Sequence, residues 1–186
     1  MAEKESYDSW AQRPPYKIIA PDDFGEVQWR AHCQCGQVEY LINRAKPLMA
    51  KFCHCRGCQV LHGAPLQWCV IFHKSDIMFT KGATGLSFYS SQHATTDYKT
   101  PTKVACNFCR TPIMDEGNNV CLIFPELISV EGSYDEQKHR REAFYPKCHI
   151  FYEQRLVDIS DELPKWSGMD EESEILDRYG RKRNDV

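Results

Sequence analysis

No stretch of this sequence stays apolar for the roughly 20 residues that a bilayer-spanning helix requires; the best runs are short, such as WCVIF at 68–72. A soluble protein with no membrane partner is expected. A basic surplus is missing too, since 23 Lys and Arg against 26 Asp and Glu leave a formal net charge of -3. Nothing then drives counterion release along a nucleic-acid backbone, which argues against a nucleic-acid partner. The opening MAEKESYDSWAQRPPYK has neither the apolar core of a secretory signal nor the Arg-rich, acid-poor character of a transit peptide. A cytoplasmic, reducing location follows as the expectation. Internal repeats and low-complexity tracts are absent, and helical periodicity is scarce.

What is present fits one domain with decorated ends: 186 residues, 42% of them hydrophobic, can bury an ordinary core. Residues 1–25, broken by Pro14, Pro15 and Pro21, read as an irregular lead-in. Residues 26–166 carry the domain, and 167–186 form a charged tail. From Glu26 onward, short segments rich in Val, Ile, Tyr and Phe alternate with polar, Gly or Pro punctuation. Nine of them read as strands: EVQWRAH, GQVEYLI, PLMAKFC, PLQWCVIFH, DIMFT, LSFYSS, TKVAC, NVCLIFP and CHIFY. The fold class is therefore mainly β. In GQVEYLI, Val38, Tyr40 and Ile42 share one side of a period-two strand and are assigned to the core. RGCQVLHG at 56–63 reads as a helical turn ended by Gly63, and DEESEILDRY at 170–179 as the one longer helix. RKR at 181–183 has the composition of a weak nuclear signal or of a basic terminal fray.

Against this background ten cysteines are many. In a secreted chain they would suggest disulfides, whereas close pairs in a reducing compartment point to metal. Seven fall into tight groups: Cys33 and Cys35 in HCQCG, Cys53, Cys55 and Cys58 in CHCRGC, and Cys106 and Cys109 in CNFCR. CxC and CxxC turns let two thiolates face one ion at Zn–S distances of about 2.3 Å. Cys33, Cys35, Cys106 and Cys109 then supply a closed four-thiolate zinc site that joins distant parts of the chain. Such a site is worth roughly 10–16 kcal/mol of apparent binding free energy, against a net domain stability of roughly 5–15 kcal/mol. Losing its metal should unfold the domain.

Cys53, Cys55 and Cys58 remain, and three protein ligands with a vacant fourth position mark a catalytic zinc. One alternative is that His54, His32 or His62 closes this second site and makes it structural. His54, between two proposed ligands, should point away from them by extended-chain alternation. Another alternative is a redox pair at Cys55 and Cys58, although no βαβ pattern surrounds it. Cys69 and Cys121 lie within apolar strands and read as small core residues. Packing is also the favoured role for Cys148, beside His149.

HCQCGQVEY, CHCRGCQVLHGAP with Trp68, CNFCRTPI, HIF at 149–151 and DELPKW at 161–166 together resemble the glutathione-dependent formaldehyde-activating enzyme family, also called the CENP-V/GFA domain family, over roughly residues 29–166. The resemblance implies an Mss4-like fold of antiparallel sheets built around zinc knuckles, and a carbon–sulfur lyase or synthase activity on glutathione adducts. It implies that Cys33, Cys35, Cys106 and Cys109 hold the structural zinc and that Cys53, Cys55 and Cys58 hold the catalytic one. Two departures bear on the substrate. Gln59 follows the third cysteine of the cluster where the family often has Arg, and Cys109-Arg110-Thr111-Pro112 stands where it often has CGTP.

An open three-thiolate zinc would bind glutathione, or a conjugate of it, as thiolate. Because three thiolates neutralise the ion, positioning and thiolate activation should outweigh carbonyl polarisation. Lys51, Arg56 and Arg110, beside the cysteine turns, are candidate donors to the glutathione carboxylates. The electrophile stays open between formaldehyde and a larger conjugate, and the sequence is compatible with an oligomer. The rival class is a non-catalytic, zinc-stabilised protein-interaction module, since the scaffold implies no particular function; it leaves the three-cysteine group without a purpose.

Overall fold

The structure, a computed structural model, describes residues 10–129 and 133–183. Twelve strands follow one another in the described chain: β1 (Trp29–His32), β2 (Glu39–Ile42), β3 (Met49–Cys53), β4 (Gln67–His73), β5 (Ile77–Lys81), β6 (Leu86–Tyr89), β7 (Thr102–Cys106), β8 (Pro112–Glu116), β9 (Val120–Ile123), β10 (His149–Ile150), β11 (Lys165–Trp166) and β12 (Ile175–Leu176). The fold is mainly β, and each of the nine segments expected to be extended contains a strand. The three further strands hid for local reasons. β8, PIMDE, has turn-like ends but fully buries Ile113 and Met114, while β11 and β12 are two residues each, too short for a period. Among the described residues no helix is long and apolar enough to cross a membrane.

The chain divides into two compact units, one formed by the chain up to Leu48 with Ile71–Ala143, the other by Met49–Val70 with Phe144–Val186. In the first, β1, β2 and β5 form an antiparallel sheet, and β6 to β9 form an antiparallel meander. Val38, Tyr40 and Ile42 all face its core as the alternation required. Cys121 is buried there too. The lead-in from Trp10 is not loose: Trp10 and Tyr16 are buried, with ring centroids 4.7 Å apart, and Trp10 lies 5.0 Å from Phe88 and 5.2 Å from Tyr98. Two of these rings also meet Glu116, whose buried carboxylate accepts from Tyr16 Oη at 2.7 Å, Tyr98 Oη at 2.6 Å and Lys74 Nζ at 2.6 Å. A carboxylate can be fully desolvated only when its lone pairs are met in this way.

In the second unit the strand order is β12, β11, β10, β3 and then residues 67–70 of β4. Within the otherwise antiparallel architecture this sheet is mixed, because β10 runs parallel to both β3 and β11. Parallel neighbours need long connections, and the stretch of chain from β3 to β10 supplies one. Cys69 and Cys148 are buried in this unit, as expected of packing residues.

The helix expected over 170–179 is not formed. Glu171 has φ +60, and the Ser173 hydroxyl accepts from Gly168 N–H at 2.9 Å and donates to the Met169 carbonyl at 2.7 Å. This local turn competes with a helix, and Ile175–Leu176 pair with β11 instead. The longest helix is Tyr134–Ala143. Good helix formers, first-turn acids, last-turn bases and a capping box between Ser133 and Glu136 account for it. It buries no residue, so no apolar stripe announced it. The RKR segment is tied back by the Arg183 N–H to the Ile175 carbonyl; residues 1–9 and 184–186, parts of the expected lead-in and tail, lie outside the described residues.

Candidate metal centres

Cys33 and Cys35 occupy the turn between β1 and β2. Gly36, at φ +69, allows the reversal, and its N–H donates to the Cys33 carbonyl at 3.0 Å. The Val38 N–H lies 3.3 Å from Cys33 Sγ. Cys106 ends β7 and Cys109 follows in the next turn, closed by the Arg110 N–H to the Cys106 carbonyl at 3.0 Å. Arg110 adopts φ +63, the left-handed region that favours glycine, so the departure from CGTP falls on a backbone site where a side chain is disfavoured.

The four Sγ atoms lie within 4.8 Å of one another, with Cys33–Cys35 at 3.4 Å and Cys35–Cys106 at 3.9 Å. Disulfide sulfurs would stand about 2.05 Å apart, and none of the ten cysteines forms a disulfide. Four thiolates at about 2.3 Å from a tetrahedral ion are about 3.8 Å from each other, so the donor set fits zinc. The Thr111 hydroxyl, 3.1 Å from Cys109 Sγ, lowers that thiol to about 5. Deprotonation here is what metal binding needs.

In the second group, β3 delivers Cys53, and Cys55 is the N-cap of the helix Arg56–His62, its sulfur accepting from the Cys58 N–H at 3.4 Å. Gly63, in the left-handed conformation, ends this helix as expected. Cys53 and Cys58 Sγ are 3.6 Å apart, and the three sulfurs lie within 4.8 Å of one another. Among the described residues no further His, Cys, Asp or Glu joins them. The neighbouring Cys55 thiol raises Cys53 to about 12, with Cys58 opposing and burial adding to the rise. Cys53 therefore resists ionising unless a cation compensates its charge. The donors fit a divalent soft-ligand ion with three protein sulfurs.

None of the three candidate histidines completes this group. His54 turns into the interior, its Nε2 lying 2.8 Å from His149 Nδ1; His32 Nδ1 lies 2.9 Å from the Cys33 carbonyl, and His62 is in the last turn of the helix. Burial lowers His54 to about 4, helped by His149, and burial likewise lowers His149. Gln59 is buried, donating through Nε2 to the carbonyls of His54 at 2.7 Å and Gln154 at 2.8 Å. Gln154 Oε1 in turn accepts the Arg56 N–H at 2.8 Å. The departure at Gln59 is thus a staple between the helix and the Tyr152–Gln154 turn. The HIF and DELPKW motifs that contain His149, Asp161 and Lys165 carry the family resemblance without assigning these residues a role, and Gln154 has no local signal, because its partners lie far along the chain.

Of the proposed carboxylate donors, Lys51 is buried and ion-paired with Asp170. Arg56 is exposed at the first position of the cysteine helix. Arg110 lies on the four-cysteine turn, its Nη1 donating to Asn107 Oδ1 at 3.0 Å.

A family model described as glutathione-dependent formaldehyde-activating enzyme matches residues 28–154. None of the curated proteins matches the chain. Among solved structures, the crystal structure of a Rhodobacter sphaeroides protein, a structural genomics target, is similar with a TM-score of 0.43 and 17% identity, over 59% of this chain and 94% of that one.

Proposed function

The chain belongs to the glutathione-dependent formaldehyde-activating enzyme family, and from that premise we propose that it makes or breaks the carbon–sulfur bond of a glutathione adduct at Cys53, Cys55 and Cys58. The observation that carries this reading is the group of three sulfurs within 4.8 Å that no fourth protein donor joins among the described residues. Zinc held by these thiolates would leave room for a substrate sulfur and favour its thiolate form at neutral pH. Cys33, Cys35, Cys106 and Cys109 would hold a second, purely structural zinc.

In the synthetic direction the glutathione sulfur bonds to the aldehyde carbon, the C=O π pair moves to oxygen, and the proton lost by the thiol ends on that oxygen as the S-hydroxyalkyl O–H. The lyase direction reverses each change. The role of this chain's residues is to hold the three sulfurs in place: Cys55 by capping the helix, Cys53 by ending β3, and Gln59 by tying the helix to the turn at Gln154. Arg56 is the best-placed donor for a glutathione carboxylate, since the charge of Lys51 is met by Asp170 and Arg110 belongs to the other cysteine turn.

Cobalt substitution tests the reading, because thiolate charge-transfer and ligand-field bands report the ligands directly. Glutathione should perturb the bands of the three-cysteine cobalt saturably in the parent and not in Cys55→Ser. Two bound cobalt ions with spectra indifferent to glutathione would sink it and favour the interaction-module alternative.

A further inference from the structure

We propose that His149, backed by Asp161 and Lys165, is a positioning residue that holds His54 and, through it, the Cys53–Cys55 segment in its metal-binding arrangement; this rests on the reading of the three-cysteine group given above. His54 is the one residue between two of the proposed ligands, and it is fixed at three points. Its backbone N–H donates to the Ile150 carbonyl at 3.0 Å, its carbonyl accepts from Gln59 Nε2 at 2.7 Å, and its ring Nε2 meets His149 Nδ1 at 2.8 Å. Both rings are completely buried. The Tyr152 ring lies edge-on to them at 5.0 and 5.5 Å, and the Phe52 ring is 5.2 Å from His149.

Behind His149 the chain of contacts has a direction. His149 Nε2 is 3.0 and 3.2 Å from the two oxygens of Asp161. A carboxylate only accepts, so His149 donates from Nε2 and its Nδ1 must accept. His54 then donates from Nε2, and its Nδ1 is left as a buried acceptor with no protein partner. Asp161 is itself anchored, because Lys165 Nζ donates to its Oδ1 at 2.5 Å and to the carbonyls of Asp161 at 2.9 Å and Leu163 at 3.0 Å. Strand register reinforces the same alignment, placing His149 beside Phe52 and Ile150 beside Cys53. The ring tautomers and the position of the ligand-bearing segment are thus set from Asp161 inward. Outer groups that orient ligands in this way typically govern metal affinity by about 10- to 100-fold.

The test titrates the full chain with cobalt against a chromophoric chelator, so that affinity and band position are read for each ion separately. His149→Leu should weaken the three-cysteine ion by about 10- to 100-fold and shift its bands, while the four-thiolate ion keeps its parental affinity and spectrum. His149→Asn, which retains an acceptor toward His54, should recover part of the loss. If His149→Leu does not fold, Asp161→Asn, at a half-buried carboxylate, is read in the same way and should weaken the same ion alone. Parental affinity for both ions in the variant that is read, or His149→Asn no better than a folded His149→Leu, would overturn the inference and leave the proposed function standing. A parent that binds a single ion would overturn both.

Discussion

The two cysteine groups should contribute unequally to stability, and the inequality can be worked from their spans. In the first, 71 positions separate Cys35 from Cys106; in the second, 5 separate Cys53 from Cys58. A cross-link acts on the unfolded chain through the loop that it closes, which gives about 4 kcal/mol for the longer span and about 2 kcal/mol for the shorter. The difference, set by the logarithm of the ratio of the spans, is about 2.3 kcal/mol. Cys35→Ser and Cys58→Ser are the matched perturbations, each measured by urea unfolding in saturating zinc. Cys35 is exposed and Cys58 half-buried, so lost packing would weigh against Cys58→Ser and bias the comparison in the opposite direction. Cys35→Ser is nevertheless expected to be the more damaging by about 2 kcal/mol at an unchanged denaturant slope. Equal midpoints, or a larger loss for Cys58→Ser, would refute the view that the four-thiolate group is the stabilising tether.

Other perturbations probe separate parts of the molecule. Glu116→Gln strands the Lys74 ammonium and should cost about 3–5 kcal/mol in urea unfolding; adding Lys74→Met should recover a substantial part, and no recovery would show that the ion pair is not the cause. Arg110→Gly should be about 1 kcal/mol more stable than Arg110→Ala, because the left-handed backbone penalises any Cβ; a chemical-denaturation comparison in which alanine equals glycine would contradict this. The His54 ring should stay neutral on acidification until about pH 4, as burial disfavours the imidazolium. Its depressed folded value means that the unfolded state binds more protons below the ordinary histidine range of about 6.5, so stability falls as pH drops from there toward 4. Nitrogen chemical shifts of the ring across that range would expose a protonation near pH 6 as the disproof.

Much of this architecture could be read from local pattern. Period-two alternation in GQVEYLI fixed which side of β2 is buried, and Gly63 marked the end of the cysteine helix, because both signals act over a few residues. Cysteine spacing foretold which sulfurs would share a turn, since each CxC or CxxC turn already aims two donors the same way. Partners separated by long stretches of chain were opaque. Nothing near Gln59 shows that its amide meets Gln154, nothing near Glu116 names Tyr16 as its donor, and the parallel pairing of β10 depends on tertiary contacts. The failed helix at 170–179 has the same origin: its charged composition favours a helix, but the Ser173 turn and the pairing of Leu176 with Lys165 prevail.

The unit that carries the three-cysteine group is written in two separated pieces of sequence, Met49–Val70 and Phe144–Val186, and this imposes an order on its assembly as the chain is synthesised. All four sulfurs of the first group exist once Cys109 has been made. Cys53, Cys55 and Cys58 are made earlier, but the groups that hold their segment, the Ile150 carbonyl, the His149 ring and Gln154, arrive only with the second piece. A nascent chain can therefore bring the four sulfurs of the first group together while the other three thiols still lack their supports, which leaves the proposed reactive centre as the last part to be built.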